Sequence, residues 1–358
     1  MQKTINIVEP TLTNEAGHCY SLIKNLVNTD QKNTVVVWAS KWSTIDLKNK
    51  KASLKKFFFR RVRKIQCYFL YRKLLASGDK ILVSTSGMID LILFTLIAKK
   101  AIPANQVFFY FHWINNTSRK LKKLKEIAKK QPNLMILGTT PTVLEVFKKA
   151  GFQYTEVAPY PISKKNECQS TKPEKFSKVL FAGSARQDKG FSRVVDLIEY
   201  ETAESSTIPF FVQSSSEHYS KYDKKTQYDI GRLSAFGYKY LTIHKDTLSE
   251  SEYLELFIGS ICIQPYDPIA FADRVSGVTL DALVAGSPIL TSADTWTAKI
   301  VEKFSAGIVM KSIAPEDMHT ALKEIISKYE FYSNNARNAS KILQAENDSA
   351  HLFSLISG

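Results

Sequence analysis

One pattern runs through this chain twice. Short runs of β-branched and aromatic residues alternate with helix-length stretches: first TINIVEP, NTVVVWAS, KILVSTS, QVFFYFHW, NLMILGT and YTEVAPY, then KVLFAGS, IPFFVQSS, YLTIHK, SICIQPY, SPILTS and AGIVM. Parallel strands need long crossover connections, so strand–helix alternation of this kind predicts parallel sheets covered by helices. Between the two series, Ile162 to Lys178 is polar and without periodicity, and reads as a linker. With 358 residues, 44% of them hydrophobic, the chain can bury two cores. The expected organisation is an N-terminal domain over 1–165 and a C-terminal domain over 176–335. Residues 336–358 form a C-terminal helix that can pack back on the N-terminal domain.

Composition narrows the class. MQKTINIVEP carries no apolar run of signal-peptide length, and the longest apolar run, IDLILFTLIA, is interrupted by Asp90 and too short to span a bilayer. A cytoplasmic protein is expected. Cys19, Cys67, Cys168 and Cys262 lie far apart, with no CxxC and no zinc spacing, so free and mostly buried thiols are expected and a metal site is not. Charge is divided unevenly: residues 1–175 hold 31 Lys+Arg against 11 Asp+Glu, a net of +20, and the remainder has a net of −5. Residues 48–73 hold 11 basic residues and no acid, interleaved with Phe57, Phe58, Phe59, Tyr68, Phe69 and Tyr71; a second cluster, 119–130, holds seven basic residues and one Glu. A solvated helix face, nucleic-acid binding and docking on an anionic membrane all use this chemistry. Rings that insert at an interface while Lys and Arg meet lipid headgroups favour the membrane, with Lys55, Lys56, Arg60, Arg61, Arg63 and Lys64 as its binding residues.

Two stretches carry candidate chemistry. In FAGSARQDKGF a strand ends at Gly183 and a helix begins after Gly190. Glycine lets backbone amides approach an anion, a helix N-terminus adds a positive field, and Arg186 and Lys189 can reach the same point. That outlines a phosphate site, although an ordinary strand-to-helix turn with solvated charges has the same residues; the GxGxxG fingerprint is absent. In ADRVSGVTLDALVAG, Asp273 and Asp281 flank Ser276 and Gly277, whose amides open a helix. Two acids beside a phosphate site fit a nucleotide sugar, one carboxylate accepting from sugar hydroxyls and the other from ribose, although acids near a helix start are also stabilised by its dipole alone.

These residues resemble the retaining glycosyltransferases of family 4, whose GT-B fold pairs two Rossmann-like domains across a cleft. DRVSGVTLDALVAGSPIL is similar to the family's acid-x7-acid helix and Pro-led strand, FAGSARQDKG to its G...R..KG segment, and TLSESEYLELFIGSICIQPYD to the helix and strand between them. The likeness covers nearly all of residues 178–311. It implies that Asp273 meets the donor sugar's hydroxyls, that Asp281 binds ribose, and that Gly183, Arg186, Lys189, Ser276 and Gly277 hold the diphosphate. In the N-terminal half, Gly17 corresponds to a glycine near the donor phosphate and His112 to a histidine that contacts the transferred sugar; beside Trp113, a packed and satisfied His112 is the ordinary reading. His18 is assigned a capping or acceptor-side role. Both acidic positions are Asp where the family usually has Glu, one methylene longer, which bears on donor identity.

The reading is a metal-independent, cofactor-free retaining transferase at the inner face of the membrane. It moves a sugar from a UDP- or GDP-sugar to a glycan or lipid-linked acceptor, as in bacterial cell-surface polysaccharide or lipopolysaccharide synthesis. No nucleic acid is expected as partner. A nucleotide-sugar epimerase on the same fold and a catalytically silent basic scaffold at the membrane are the alternatives.

Overall fold

The computed structural model describes residues 4–15, 18–29, 32–47, 49–114, 117–161, 175–214, 222–246 and 248–358. The chain forms two compact units, one of residues 1–163 with 344–358, the other of residues 164–343.

The first unit runs β1 (Ile5–Val8), α1 (His18–Thr29), β2 (Val35–Ser40), β3 (Ala52–Phe58), α2 (Arg63–Ser77), β4 (Lys80–Val83), α3 (Met88–Ile97), β5 (Val107–Phe111), α4 (Ser118–Lys130), β6 (Met135–Gly138), α5 (Pro141–Ala150) and β7 (Tyr154–Val157). Its seven strands are parallel, in the order β3-β2-β1-β4-β5-β6-β7. All five residues of β5, VFFYF, are buried, because helices cover both faces of the sheet and no alternation with polar residues is needed. Right-handed crossovers put α2, α3, α4 and α5 on one face, where each packs beside the next. The return from β1 to β2 puts α1 on the other.

The second unit runs β8 (Lys178–Phe181), α6 (Phe191–Ala203), β9 (Phe210–Gln213), α7 (Lys224–Ala235), β10 (Leu241–His244), α8 (Glu250–Glu255), β11 (Ser260–Gln264), α9 (Pro268–Phe271), α10 (Gly277–Val284), β12 (Ile289–Ser292), α11 (Trp296–Phe304), β13 (Gly307–Met310), α12 (Pro315–Ser327) and α13 (Tyr329–Glu346). Its six parallel strands order as β10-β9-β8-β11-β12-β13. The chain re-enters the first unit at the end of α13, and α14 (Ser349–Ser357) packs against α1. The buried Lys80 ammonium donates to the carbonyls of Ile356, Ser357 and Gly358 at 2.8, 2.8 and 3.0 Å, placing a cation at the negative end of that helix.

All twelve strands expected from the sequence are present. The thirteenth, β3, lies inside the basic run 48–73, where no strand was expected, because lysines interrupt its apolar positions. The rings of that run divide: Phe58 and Tyr71 are fully buried, Phe57 packs on the core of the first unit and Tyr71 stacks on Phe94 at 4.2 Å, which removes these three as membrane-inserting residues, whereas Phe59 and Phe69 are exposed. Of the thiols, Cys67 and Cys262 are buried and Cys19 half-buried, none of the three in a disulfide; Cys168 and most of the expected linker lie outside the described residues.

Candidate active site

In a doubly wound sheet, ligands bind beyond the carboxyl ends of the strands where the strand order reverses. In the second unit that point lies between β8 and β11. After β8 the backbone turns at Gly183 with φ +89, its N–H donating to Gln213 Oε1 at 2.7 Å. A Cβ at Gly183 would lie 2.8 Å from Lys189 Nζ and 3.5 Å from Val278 Cγ2. Glycine is therefore what lets an ammonium and the first turn of α10 close on this strand end.

Around that turn sit three cations and one carboxylate. Arg186 grips Asp188 through Nε and Nη2 at 2.8 and 2.6 Å, and Arg274 Nη1 stands 3.6 Å from the same carboxylate while its guanidinium lies over Phe271. Burial, reinforced by the charges of Arg186 and Arg274, pushes the half-buried Lys189 ammonium down to about 8. The loops after β8 and β11 are locked together. Asp267 N–H donates to the Asp188 carbonyl at 3.0 Å, and Arg193 Nη1 donates to the carbonyls of Pro265 and Tyr266 at 2.8 and 3.1 Å.

Ser276 is the N-cap of α10, its hydroxyl accepting from Thr279 N–H, so the helix starts at Gly277 beside the Gly183 turn. The first four amides of a helix have no intrahelical acceptor, which makes this start an anion-binding point. Asp281 follows on α10, half-buried. Burial and then the Asp281 charge raise the Tyr253 phenol well above its usual value. Asp273 is held by Lys299 Nζ at 3.1 Å, with its side chain 30% exposed. The structure thus brings Gly183, Arg186, Lys189, Ser276 and Gly277 to one switch point, with Asp273 and Asp281 on the segment that forms it.

The first unit has its own reversal, between β1 and β4. Glu9, 1% exposed, accepts from the Thr11 hydroxyl at 2.5 Å, the Ser84 hydroxyl at 2.9 Å and the Thr85 hydroxyl at 2.6 Å. Burial and then the Glu9 charge push the Cys19 thiol up to about 12, which makes it unreactive at neutral pH. At the end of β5, His112 Nε2 lies 3.0 Å from the Ser84 carbonyl, with its ring edge-on to Tyr110 and Tyr160. A carbonyl only accepts, so Nε2 carries the proton and Nδ1 is the acceptor nitrogen of neutral His112. Gly17 and the His18 side chain lie outside the described residues.

Sequence reading missed Arg274, Gln213 and Glu9. Arg274 stands in the quoted motif, but only the fold carries it to Asp188. Gln213 and Glu9 have no local signal, since each is a single polar residue at the end of an apolar strand run.

No protein-family model matches the chain, and no curated protein does. Solved structures do. WaaG, a glycosyltransferase involved in lipopolysaccharide biosynthesis, superposes with TM-score 0.69 at 14% identity, over 99% of this chain and 100% of that one. Sucrose-phosphate synthase from Thermosynechococcus elongatus gives 0.70 at 13% identity, and Anabaena Alr3699/HepE in complex with UDP and glucose gives 0.69 at 13%, each over 99% of this chain and 98% of the other. At these identities the likeness is one of fold. The chain has the GT-B fold, the two-sheet architecture of glycosyltransferases.

Proposed function

We propose that the protein transfers a sugar, with retention, from a UDP- or GDP-sugar to a glycan or lipid-linked acceptor. The observation that carries this reading is the surplus of cations at the switch point of the second unit. Lys189, Arg186 and Arg274 outnumber Asp188 beside a glycine turn and a helix start, which suits the two phosphates of a nucleoside diphosphate and its departing charge. Asp281 receives the ribose and Asp273 the sugar hydroxyls, Lys299 holding Asp273 in place. His112, held by Ser84, contacts the transferred sugar. The three cations supply charge that a divalent metal would otherwise provide, so neither metal nor cofactor is required. The basic first unit rests on an anionic membrane at its cytoplasmic face through Lys55, Lys56, Arg60, Arg61, Arg63 and Lys64, which places the enzyme in cell-surface polysaccharide or lipopolysaccharide synthesis.

Incubation with UDP- and GDP-sugars and an acceptor glycan, in EDTA, tests this. Release of nucleoside diphosphate that requires the acceptor, with product retaining the donor's anomeric configuration by NMR, is expected. Isomerised donor without acceptor marks an epimerase, and no donor binding marks a scaffold.

A pH prediction follows from Lys189. With the free ammonium at about 8, it is charged at pH 7, and a bound diphosphate keeps it charged to higher pH. Binding then requires proton uptake above about pH 8, so affinity for UDP or GDP is level below that point. Above it, affinity falls toward about tenfold per pH unit until the bound-state value is reached. Calorimetric titration from neutral to alkaline pH checks this; a level affinity throughout removes Lys189 from the phosphate site.

A further inference from the structure

Three neighbouring helices of the first unit carry an arrangement invisible in any one of them. α3, MIDLILFTLI, turns Leu91 and Phe94 into the core, yet Ile89 is 43% and Leu96 71% exposed seven residues apart on the other side. Beside it, α2 and the turn before it expose Val62, Ile65 and Phe69 at 44, 61 and 60%, a stripe at helical spacing. In the turn before α2, Phe59 packs edge-on at 6.4 Å against the largely exposed Trp42, which follows β2. The flanks are basic. Arg60, Arg61, Lys64, Arg72 and Lys73 are exposed at α2, and α4, on the far side of α3, exposes Arg119, Lys122, Lys123, Lys125, Lys129 and Lys130. Nearby acids do not offset this: Asp90 is turned inward to the Tyr71 hydroxyl and the α3 N-terminus, and Glu126 is paired with Lys123.

We propose that the α2–α3 surface inserts its apolar stripes into an anionic lipid surface while the flanking helices bind the headgroups. This inference rests on the membrane reading above and changes which residues carry it. Charge complementarity selects the occupant: two copies of so basic a face repel one another, and lipid offers both an apolar depth and a negative surface. Lys55 and Lys56 take a lesser part, because they lie on β3, an edge strand of its sheet, where lysines guard against pairing with another chain.

The test is sedimentation of the full chain with phosphatidylcholine–phosphatidylglycerol vesicles, and with phosphatidylcholine alone, at low and high salt. Ile65→Ser/Phe69→Ser/Leu96→Ser is expected to lower partitioning onto the anionic vesicles at least tenfold, leaving nucleotide binding and circular dichroism unchanged. Lys55→Glu/Lys56→Glu is expected to lower it less than threefold. If wild-type protein ignores anionic vesicles, or leaves them only for added nucleic acid or in favour of self-association, the membrane reading itself is overturned. If wild-type protein binds and the serine variant binds equally well, that reading stands and the inserted face is wrong.

Discussion

Lys189→Ala is expected to weaken UDP or GDP binding and to lower kcat/KM by roughly thirtyfold to a few thousandfold, the effect of removing one member of a desolvated charge pair, about 2–5 kcal/mol. The size of the effect comes from where the ammonium sits. It is the cation closest to the Gly183 turn, partly removed from water, and pressed by two guanidiniums, so an arriving phosphate relieves repulsion as well as adding attraction. Arg274→Ala is expected to cost less, about ten- to a hundredfold, as for one charge-assisted hydrogen bond. Stability should move in the opposite sense or not at all, since either change removes repulsion from the free protein. Calorimetry with UDP and GDP, alongside a melting curve, checks both. Binding unchanged by Lys189→Ala would sink the phosphate assignment, whereas parallel loss of binding and melting temperature would mark a folding defect instead.

Gly190→Ala is expected to be the most destabilising single change in the site. Gly190 has φ +73, which costs an alanine about 1–2 kcal/mol, and its added Cβ would lie 1.9 Å from the Pro265 carbonyl oxygen. No rotamer relieves a backbone contact. The loop after β11 must move, and with it the Arg193 contacts to Pro265 and Tyr266 that hold that loop on α6. A total loss above about 3 kcal/mol is expected, which at about 2–4 °C per kcal/mol lowers the melting temperature of a unit this size by more than about 6 °C. Gly231→Ala is the control: it lies on α7 with open space around its Cβ, and alanine there is expected to be stabilising by up to about 1 kcal/mol. Equal melting curves for the two variants would remove the close approach of Gly190 to Pro265 as a constraint on the site.

The difference between the two basic runs of the first half shows why part of the molecule was hidden from a one-dimensional reading. Residues 119–130 behave as their periodicity predicts, with Leu124 and Ile127 inward and the lysines outward on α4. Residues 48–73 do not, because that run changes from strand to turn to helix within a single stretch of uniform charge. The same Phe-rich sequence therefore buries Phe58 and exposes Phe59 and Phe69.

Periods of two and 3.6 residues, and glycines at strand ends, are local properties, so the sequence alone determined two parallel α/β units and placed Gly183, Arg186 and Lys189 after one strand and the start of α10 after another. What tertiary structure alone decided is everything that depends on chain segments distant in sequence meeting in space. Folding the loop after β11 against the loop after β8 set Arg274 beside Asp188. Laying α3 between α2 and α4 left its apolar side uncovered. Pairing β1 with β4 enclosed Glu9 in the hydroxyls of Ser84 and Thr85. The physical reason is that charge and burial energies fall off with distance in space, not along the chain, and only the packed sheet order fixes that distance.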